Sequence, residues 1–362
     1  MSSYRAHMDL TYRPMRASDV AACVSLTKAD PIVGPRYGGA IEMLPAVWSR
    51  LLGQESFRAF VFETVDSGRK KIILVGIAVF VEDDFVRQLK TPPSVWIGPE
   101  LTQRIAKGHS PLLSDREVAA ANSNGSLTCV VWSGCLDQQY VAEPEVHNFS
   151  ASTFFEVHAG YYLREVIVQA ENGAHLQQVL GSGGLVLSDR QGKYAPVRAE
   201  DVPGIWHRPH LLGITRELAK QQIGSWVSTM FRYKRPRLGL SRKQQRLLTT
   251  ALKGDTDVEL ARVLGISVAA VKKSWRDIYD RVHVCIPKLF APDGRLEQLG
   301  SERGRAKKQR LLSYVRTHPE ELRPISRRAD SKRATETAGR LKARKWASSA
   351  TPSSGAPREQ AM

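Results

Sequence analysis

The chain has little cysteine and no long apolar run. Its cysteines, Cys23, Cys129, Cys135 and Cys285, are spaced neither as metal ligands nor as a disulfide framework. The longest apolar run, residues 72–81, is at most half a membrane span and is better explained as a buried strand. No basic segment followed by an apolar one opens the chain as in a secretory signal. We therefore expect a cytoplasmic protein with reduced thiols and no membrane partner.

Residue patterns of catalysis and of metal binding are also missing. His207 and His210 lie close together, but no further ligand follows at a spacing typical of zinc sites. Glu156 and Glu165 share one stretch with His158, and nothing pairs them with a nucleophile. A histidine among apolar residues is more often packed in a core than catalytic. The sequence thus predicts no catalytic residue, no metal site and no cofactor.

Positive charge is present in excess, and it is confined to one part of the chain. The 362 residues have a formal net charge of +17, with 42% hydrophobic and 25% charged residues, which is an ordinary globular balance for two or three domains. Residues 231–362 contain 31 Lys and Arg against 13 Asp and Glu, whereas the rest contains 22 against 23. A basic segment beside a neutral one is typical of proteins that bind a polyanion.

The most regular pattern lies at residues 240–284. Ser241 with Gln244, and Thr256 with Glu259, each form the spacing of a helix capping box, in which two side chains satisfy each other's backbone N–H groups. Apolar residues follow each pair at helical spacing. The segment therefore predicts two short helices, followed by a third after a turn.

The third predicted helix has two different faces. Gly265 supplies the left-handed residue that ends many helices, and Ser267 can cap the helix that follows. An apolar stripe would face the first two helices and comprises Val268, Val271, Trp275, Ile278 and Val282. The opposite face carries Ala269, Ala270, Lys272, Lys273 and Arg276. Such a helix after a short glycine turn is typical of a recognition helix in a DNA major groove.

Several of these residues together resemble a known family. The pieces Leu240-Ser241, Glu259-Leu260-Ala261, Leu264-Gly265-Ile266-Ser267, Val271-Lys272 and Ile278-Tyr279 are similar to the signature of the LuxR/FixJ-type (GerE-like) helix-turn-helix of bacterial transcription regulators. In that family a fourth helix usually pairs two subunits, and Pro287 interrupts the run where it would form. A solvated helical hairpin and a sigma-factor-like module, which shares the LGIS turn, are the alternatives.

The resemblance implies double-stranded DNA as the partner. Lys272, Lys273 and Arg276 would neutralise phosphates or reach guanine edges, and Lys272 matches the lysine with which the family usually touches DNA. Contacts to thymine methyl groups or to phosphates are expected from Val268, Ala269, Ala270, Thr256 and Ser267. RNA polymerase, a small-molecule effector and a second copy of the chain are further candidate partners.

The first part of the chain predicts an α+β domain. A strand is predicted at residues 10–15, followed by a helix that starts at residue 18 and a second helix at 41–52. An antiparallel pair of strands at 57–64 and 72–81 comes next. With the text LTYRPMRASDVAACVSL and later VGIAVFV, this order resembles the entry of the GNAT acetyltransferase fold. The fold class expected is a GNAT-like mixed sheet with flanking helices, followed by an all-α helix-turn-helix domain.

One glycine-rich segment matches a cofactor motif of the GNAT fold. An active member needs a Gln/Arg-x-x-Gly-x-Gly/Ala loop that leads from a strand into a helix, where backbone N–H groups hold the pyrophosphate of acetyl-CoA. Residues 178–183, QVLGSG, match these letters, but a helix is predicted before them and a strand after them. We therefore interpret the segment as a helix-to-strand turn, and acetyl-CoA-dependent transfer remains the alternative function.

Two other regulatory domains are compatible with parts of the N-terminal sequence. Glu82-Asp83-Asp84 resembles the acidic start of a response-regulator receiver, whose carboxylates hold Mg²⁺, but it follows a hairpin instead of ending the first strand. We interpret this run as a solvated strand end. An autoinducer-binding sensor domain is the other alternative, although the aromatic residues have no ligand-specific spacing.

The remaining segments complete the domain plan. Residues 91–126 are expected to be irregular apart from a short helix near 114–121, and helices are expected over 152–170, 215–233 and 304–316. The plan is an α+β domain over 1–200, a linker with an amphipathic helix over 201–237, the helix-turn-helix domain over 238–285, a helical extension over 286–325 and a disordered basic tail over 326–362. The function expected is bacterial transcription regulation.

Overall fold

An eight-stranded mixed sheet forms the centre of the N-terminal part of the chain. The computed structural model describes residues 8–66, 68–91, 95–170, 177, 179–181, 183–188, 193–195, 210–222, 224–252, 254–290 and 302–326. The strands are β1 (Thr11–Pro14), β2 (Phe57–Asp66), β3 (Arg69–Phe80), β4 (Leu127–Leu136), β5 (Leu163–Ala170), β6 (Leu185–Ser188), β7 (Lys193–Ala195) and β8 (His210–Thr215). Their order across the sheet is β1-β2-β3-β4-β5-β8-β6-β7.

Helices cover both faces of this sheet. They are α1 (Val20–Ala29), α2 (Val33–Tyr37), α3 (Leu44–Leu51), α4 (Asp83–Lys90), α5 (Ile97–Ala106), α6 (Asp115–Asn124), α7 (Pro144–His158) and α8 (Arg216–Gln221). Alternate residues of a strand point to opposite faces, so Val61 belongs to the core that contains Trp48 of α3, whereas Phe62 belongs to the core that contains Val157 of α7. The sheet thus separates two hydrophobic cores.

The antiparallel pair predicted over 57–64 and 72–81 is present as β2 and β3. Asp66 pairs with Arg69, and Gly68 has a φ of +76°, a left-handed conformation that glycine adopts without steric cost. The strand expected at 10–15 and the helices expected from residue 18 and at 41–52 are also present, as β1, α1 and α3.

The centre of the sheet opens between β4 and β5. The two strands run parallel, and their pairing ends at Val130 and Ile167 although both strands continue. Along the other edge of β4, Val131 pairs with Ala78 and Ser133 pairs with Ile77, which leaves Trp132 as the extra residue of a β-bulge. Because a bulge bends its strand, β4 diverges from β5 beyond Val130.

A separate hydrophobic core is formed by four helices in the C-terminal part. They are α9 (Arg242–Ala251), α10 (Asp257–Leu264), α11 (Val268–Cys285) and α12 (Glu302–Thr317). Both predicted capping boxes are present, because Ser241 and Thr256 accept the backbone N–H groups of Gln244 and Glu259, whose side chains bond back. Gly265 ends α10 with a φ of +66°. None of the described helices is long and apolar enough to cross a membrane.

The helix predicted over residues 152–170 is wrong, because the structure has the end of one helix and a strand there. The segment 152–170 contains the end of α7 and the whole of β5. Gly160 has a φ of +83°, which stops the helix, and the β-branched residues of β5 pair with β4 and β8. The apolar residues of this stretch were compatible with a helix, and strand pairing across the sheet decides against it.

Other boundaries also differ from the sequence analysis. Residues 91–126 contain α5, whose apolar positions Ile97, Leu101 and Ile105 are buried although Gly98 and Pro99 occupy its first turn. The helix expected over 215–233 is reduced to α8, followed by a 3₁₀ turn at Val227–Phe231. Strand β8 belongs to the sheet, so this domain extends past residue 200. Helix α12 matches the expectation at 304–316, and the predicted tail from 327 onward, like His207, lies outside the described residues.

Candidate nucleic-acid interface and ligand cavity

The two faces of α11 differ as the sequence predicts. Val271, Trp275, Ile278 and Val282 are buried against α9, α10 and α12. The side chains of Lys272, Lys273 and Arg276 are exposed. Within the described residues none of these three cations forms an ion pair with a carboxylate. The first half of α11 therefore presents cations to solvent.

Trp275 fixes the orientation of α11. Its side chain is 4% exposed, and its indole N–H donates to Oδ1 of Asp257 at 3.2 Å. Lys308 of α12 forms an ion pair of 3.1 Å with the same carboxylate oxygen, and its Nζ lies 5.0 Å from the centre of the Trp275 ring. These contacts hold the buried face of α11 against α10 and α12, so the cationic face points outward.

The other candidate DNA contacts cluster at helix starts. Thr256 and Ser267 are exposed, and their hydroxyl oxygens accept the N–H groups of Glu259 (3.3 Å) and Ala270 (3.2 Å). The Ser267 hydroxyl keeps its own O–H as a donor for a phosphate, whereas the Thr256 hydroxyl also bonds to the carboxylate of Glu259. Ala269 is exposed and Ala270 half-buried, while Val268 packs against the helical core. Val268 and Ala270 are thus less accessible to a base than Ala269.

The charge of α11 changes along its length. Asp277 and Asp280 are exposed one turn beyond Lys273 and Arg276, on the second half of the helix. Because a recognition helix contacts base edges mainly through its N-terminal residues, the acidic residues lie away from the end that would enter a groove. Lys272, Lys273 and Arg276 therefore lie within the first nine residues of α11, while the exposed Arg281 of its second half donates to the carbonyl oxygens of Leu238 and Gly239.

A cavity of about 710 Å³ occupies the gap between β4 and β5. It reaches both faces of the sheet, since its lining includes Tyr37 and Trp96 on one face and Phe62 and His147 on the other. Trp132, the bulge residue, donates its indole N–H to the Tyr37 hydroxyl at 3.1 Å. The size and largely apolar lining are typical of a small-molecule site.

The part of this cavity that lies beneath α7, called the chamber below, is lined by Arg58, Phe60, Phe154, Phe155 and His158, and it contains two nitrogen atoms without partners. Both Nε of Arg58 and Nε2 of His158 are buried and make no hydrogen bond. The other ring nitrogen of His158, Nδ1, lies 2.8 Å from the carbonyl oxygen of Phe154. Burial lowers the pKa of His158 to about 3, so the imidazole is neutral at neutral pH. His158 was expected to be a packed core residue; it is 1% exposed, and it also lines the cavity.

The connection from β4 to α7 does not fit a pyrophosphate. Residues 137–143 contain no glycine, and the N–H groups of Gln139, Tyr140 and Glu143 already donate to atoms of residues 137 and 140. The carboxylate of Asp137 pairs with Lys71 at 2.9 Å. A diphosphate placed at the start of α7 would therefore meet carboxylates and occupied N–H groups. The residues present do not match those that a GNAT enzyme needs for acetyl-CoA.

The other glycine-rich segment does not replace this loop. Gly183 and Gly184 donate their N–H groups to the carbonyl oxygens of Leu180 and Val179, and β6 follows, so the turn leads from a helical segment into a strand as expected. Gln178 and Ser182 lie outside the described residues.

The acidic run at residues 82–84 lies at the start of α4. Its Asp83 forms an ion pair with Arg164 at 2.6 Å. Glu165 likewise forms an ion pair with Lys90.

A C-terminal segment joins the sheet domain to the helices. Nε of Arg323 donates to the carbonyl oxygen of Ala159 at 2.8 Å, and Asn122 donates to the carbonyl oxygen of Pro324 at 2.8 Å. From the helical side, Gln245 of α9 donates to the carbonyl oxygen of Arg323 at 2.6 Å. Arg242 pairs with Glu55 at 2.9 Å and also with Asp115. Sequence reasoning missed this junction, because nothing local marks residues so far apart as neighbours.

The mixed sheet with flanking helices and a parallel strand pair at its open centre is similar to the GNAT-like sheet that the sequence predicts. Solved structures with some likeness include an acetyltransferase of Corynebacterium glutamicum, 11% identical over 56% of this chain and 94% of its own, with a TM-score of 0.30. An arylalkylamine N-acetyltransferase of the mosquito Aedes aegypti is 8% identical over 57% and 87%, with a TM-score of 0.35. A spermidine N-acetyltransferase chimera with a Vibrio cholerae part is 11% identical over 58% and 96%, at 0.30.

Sequence comparisons assign the chain to no family. No protein-family model matches the chain, and the comparison with curated proteins gives no match. The LuxR/FixJ resemblance of residues 240–284 therefore depends on those residues alone.

Proposed function

We propose that the chain is a DNA-binding regulator, in which the helical part binds double-stranded DNA and the GNAT-like domain has a regulatory role. The observation that carries this proposal is the division of α11 into a buried side anchored by Trp275 and an exposed side with Lys272, Lys273 and Arg276. A recognition helix that lies in a major groove needs one side packed on its own domain and the other side free to contact DNA. The caps at Thr256 and Ser267 leave exposed hydroxyls beside it.

Charge distribution supports the same proposal. The excess of Lys and Arg lies in residues 231–362, which contain α9 to α12, whereas the rest of the chain is nearly neutral. Phosphate contacts from this part would give a salt-dependent, sequence-independent share of the affinity, and α11 would add base contacts. The LuxR/FixJ likeness of residues 240–284 is consistent with both contributions.

Selection from a random pool of duplex DNA with the full chain tests the proposal. We expect an enriched motif, and we expect the selected duplex to bind at least tenfold more tightly than a scrambled duplex of equal length at the same salt concentration. Enrichment of no sequence, together with equal affinity for both duplexes, would show that the helical part is not a sequence reader.

A second candidate is acyl transfer by the N-terminal domain. The cavity between the diverging strands β4 and β5 favours it, because an extended acyl donor could pass between them. The glycine-free connection at 137–143 opposes it. Calorimetry of the full chain with acetyl-CoA separates the candidates: we expect no binding at 100 µM ligand, roughly the upper part of the usual range of KM values. Binding in the low micromolar range, lost in Trp132→Ala, would favour the enzyme.

A further inference from the structure

The chamber beneath α7 has the features of a built binding site. Aromatic and aliphatic side chains line it, including Phe60, Phe154 and Phe155, and two buried nitrogens in its wall lack partners. Buried polar atoms in proteins almost always make a hydrogen bond, so an unpartnered pair on two residues that line a cavity points to a ligand that supplies the missing partners.

The two nitrogens have opposite hydrogen-bonding roles. Nε of Arg58 carries a hydrogen and can only donate. In His158, Nδ1 lies against a carbonyl oxygen, which only accepts, so the hydrogen is on Nδ1. The imidazole is neutral, and Nε2 is therefore an acceptor. A ligand that satisfies both needs an acceptor for Arg58 and a donor for His158.

The charge near Arg58 is not balanced. The nearest carboxylate, that of Glu55, is 4.0 Å from Nη1 of Arg58, and it also receives the Tyr161 hydroxyl at 2.5 Å and Arg242 at 2.9 Å. The Arg323 guanidinium lies 4.7 Å from the centre of the Tyr161 ring. Glu55 thus serves more than one cation, and a second anion near Arg58 would be stabilised.

We propose that this chamber binds a small carboxylic acid with an apolar body and a hydroxyl or N–H group close to the carboxylate. The carboxylate accepts from Nε of Arg58, the hydroxyl or N–H donates to Nε2 of His158, and the apolar body lies among the phenylalanines. A 2-hydroxy acid with an aromatic side chain has these groups. The inference concerns ligand binding alone, so it stands or fails independently of DNA binding.

Calorimetry of the full chain with four matched probes tests this inference. The probes are 2-hydroxy-3-phenylpropanoate, 3-phenylpropanoate and the primary amide of each. We expect the hydroxy acid to bind at least tenfold more tightly than its amide, because only the acid pairs with Arg58, and several-fold more tightly than the acid without the hydroxyl. Equal affinity for acids and amides, or no binding of the acids at millimolar concentration, would overturn the proposal.

Two variants test which side chain binds the carboxylate and which binds the hydroxyl, and a third variant is the control. Arg58→Gln is expected to bring the acid-to-amide ratio close to one, and His158→Phe is expected to remove the advantage of the hydroxyl while keeping the charge preference. Arg87→Gln, at an exposed position of α4 outside the cavity lining, is the matched control and should leave both ratios unchanged. Unfolding midpoints show whether each variant folds; if Arg58→Gln does not, the comparison of the four probes on the natural chain still decides. Unchanged ratios in folded Arg58→Gln would contradict the assigned site.

Discussion

The indole N–H of Trp275 and the carboxylate of Asp257 form a partly buried link between α11 and α10. Asp257 is the first residue of α10, where a negative charge also interacts favourably with the helix dipole, and Lys308 of α12 pairs with the same carboxylate. One side chain thus connects three helices. The position of the cationic face of α11 relative to its neighbours depends on this link.

Replacing Asp257 by alanine should destabilise the helical part. The change leaves the indole N–H of Trp275 without a partner in a buried position and removes the ion pair with Lys308, so we expect a loss of roughly 1–3 kcal/mol in the free energy of unfolding. Urea unfolding followed by tryptophan fluorescence measures it. Asp280→Ala, an exposed position on α11, is the matched control and should change stability by less than about 0.5 kcal/mol. Equal effects of the two substitutions would show that the link adds nothing.

Lys272→Ala and Lys273→Ala should weaken DNA binding without affecting the fold. A lysine that reads a base is expected to contribute about 1–3 kcal/mol, whereas one that touches phosphate should lower the slope of log K against log salt by about one unit. Gel-shift titration of the selected duplex at two salt concentrations distinguishes these outcomes. Lys107→Ala, which removes an exposed lysine after α5, is the control for net charge.

The capping boxes and the amphipathic α11 could be predicted because their signals are local. Ser241 needs only Gln244 three residues away, and the stripe of α11 repeats within a single helix. The β2–β3 hairpin is local in the same sense. For such elements, the groups that make the hydrogen bonds are neighbours in the sequence.

The features of the fold that the sequence did not predict depend on contacts between residues that are far apart in the chain. Helix α12 adds Leu311 and Val315 to the helical core, and its sequence pattern predicts a helix but not where it packs. Strand β5 was mistaken for helix because its pairing partners, β4 and β8, lie far away in the chain. The cavity results from where the β4–β5 pairing ends and from the bulge at Trp132, which no local pattern marks.

Gly160→Ala should disrupt the junction between the sheet domain and the helices. Gly160 has a φ of +83°, and a Cβ built on it would lie 2.4 Å from the backbone nitrogen of Glu320. Gly53 is a matched control, because its φ is +87° and a Cβ there would meet nothing within 4 Å. Both substitutions incur the cost of the left-handed conformation, about 1–2 kcal/mol, and Gly160→Ala should lose roughly 1–3 kcal/mol more from the steric clash. Equal losses in urea unfolding would mean that the segment at Glu320 shifts freely.

The buried His158 should make stability depend on pH between neutral and mildly acidic conditions. Burial lowers its pKa in the folded chain to about 3, while the unfolded side chain titrates near 6.5. As pH falls below 6.5, the unfolded state takes up a proton that the folded state does not, so stability falls with pH by up to about 1.4 kcal/mol per unit until the folded pKa is reached. From pH 7.5 to 5.0 this residue alone should cost about 2 kcal/mol.

Urea unfolding at pH 7.5 and 5.0 isolates this contribution. His158→Phe removes the titrating group while keeping an aromatic ring of similar size against Phe154 and Phe80, which contact the imidazole. The variant should therefore lose about 2 kcal/mol less than the natural chain between the two pH values, whatever its stability at pH 7.5. His109→Gln, at an exposed position, should lose as much as the natural chain does. If His158→Phe and His109→Gln showed the same pH dependence, the pKa of His158 would not be lowered in the folded chain, and the burial of its imidazole would be contradicted.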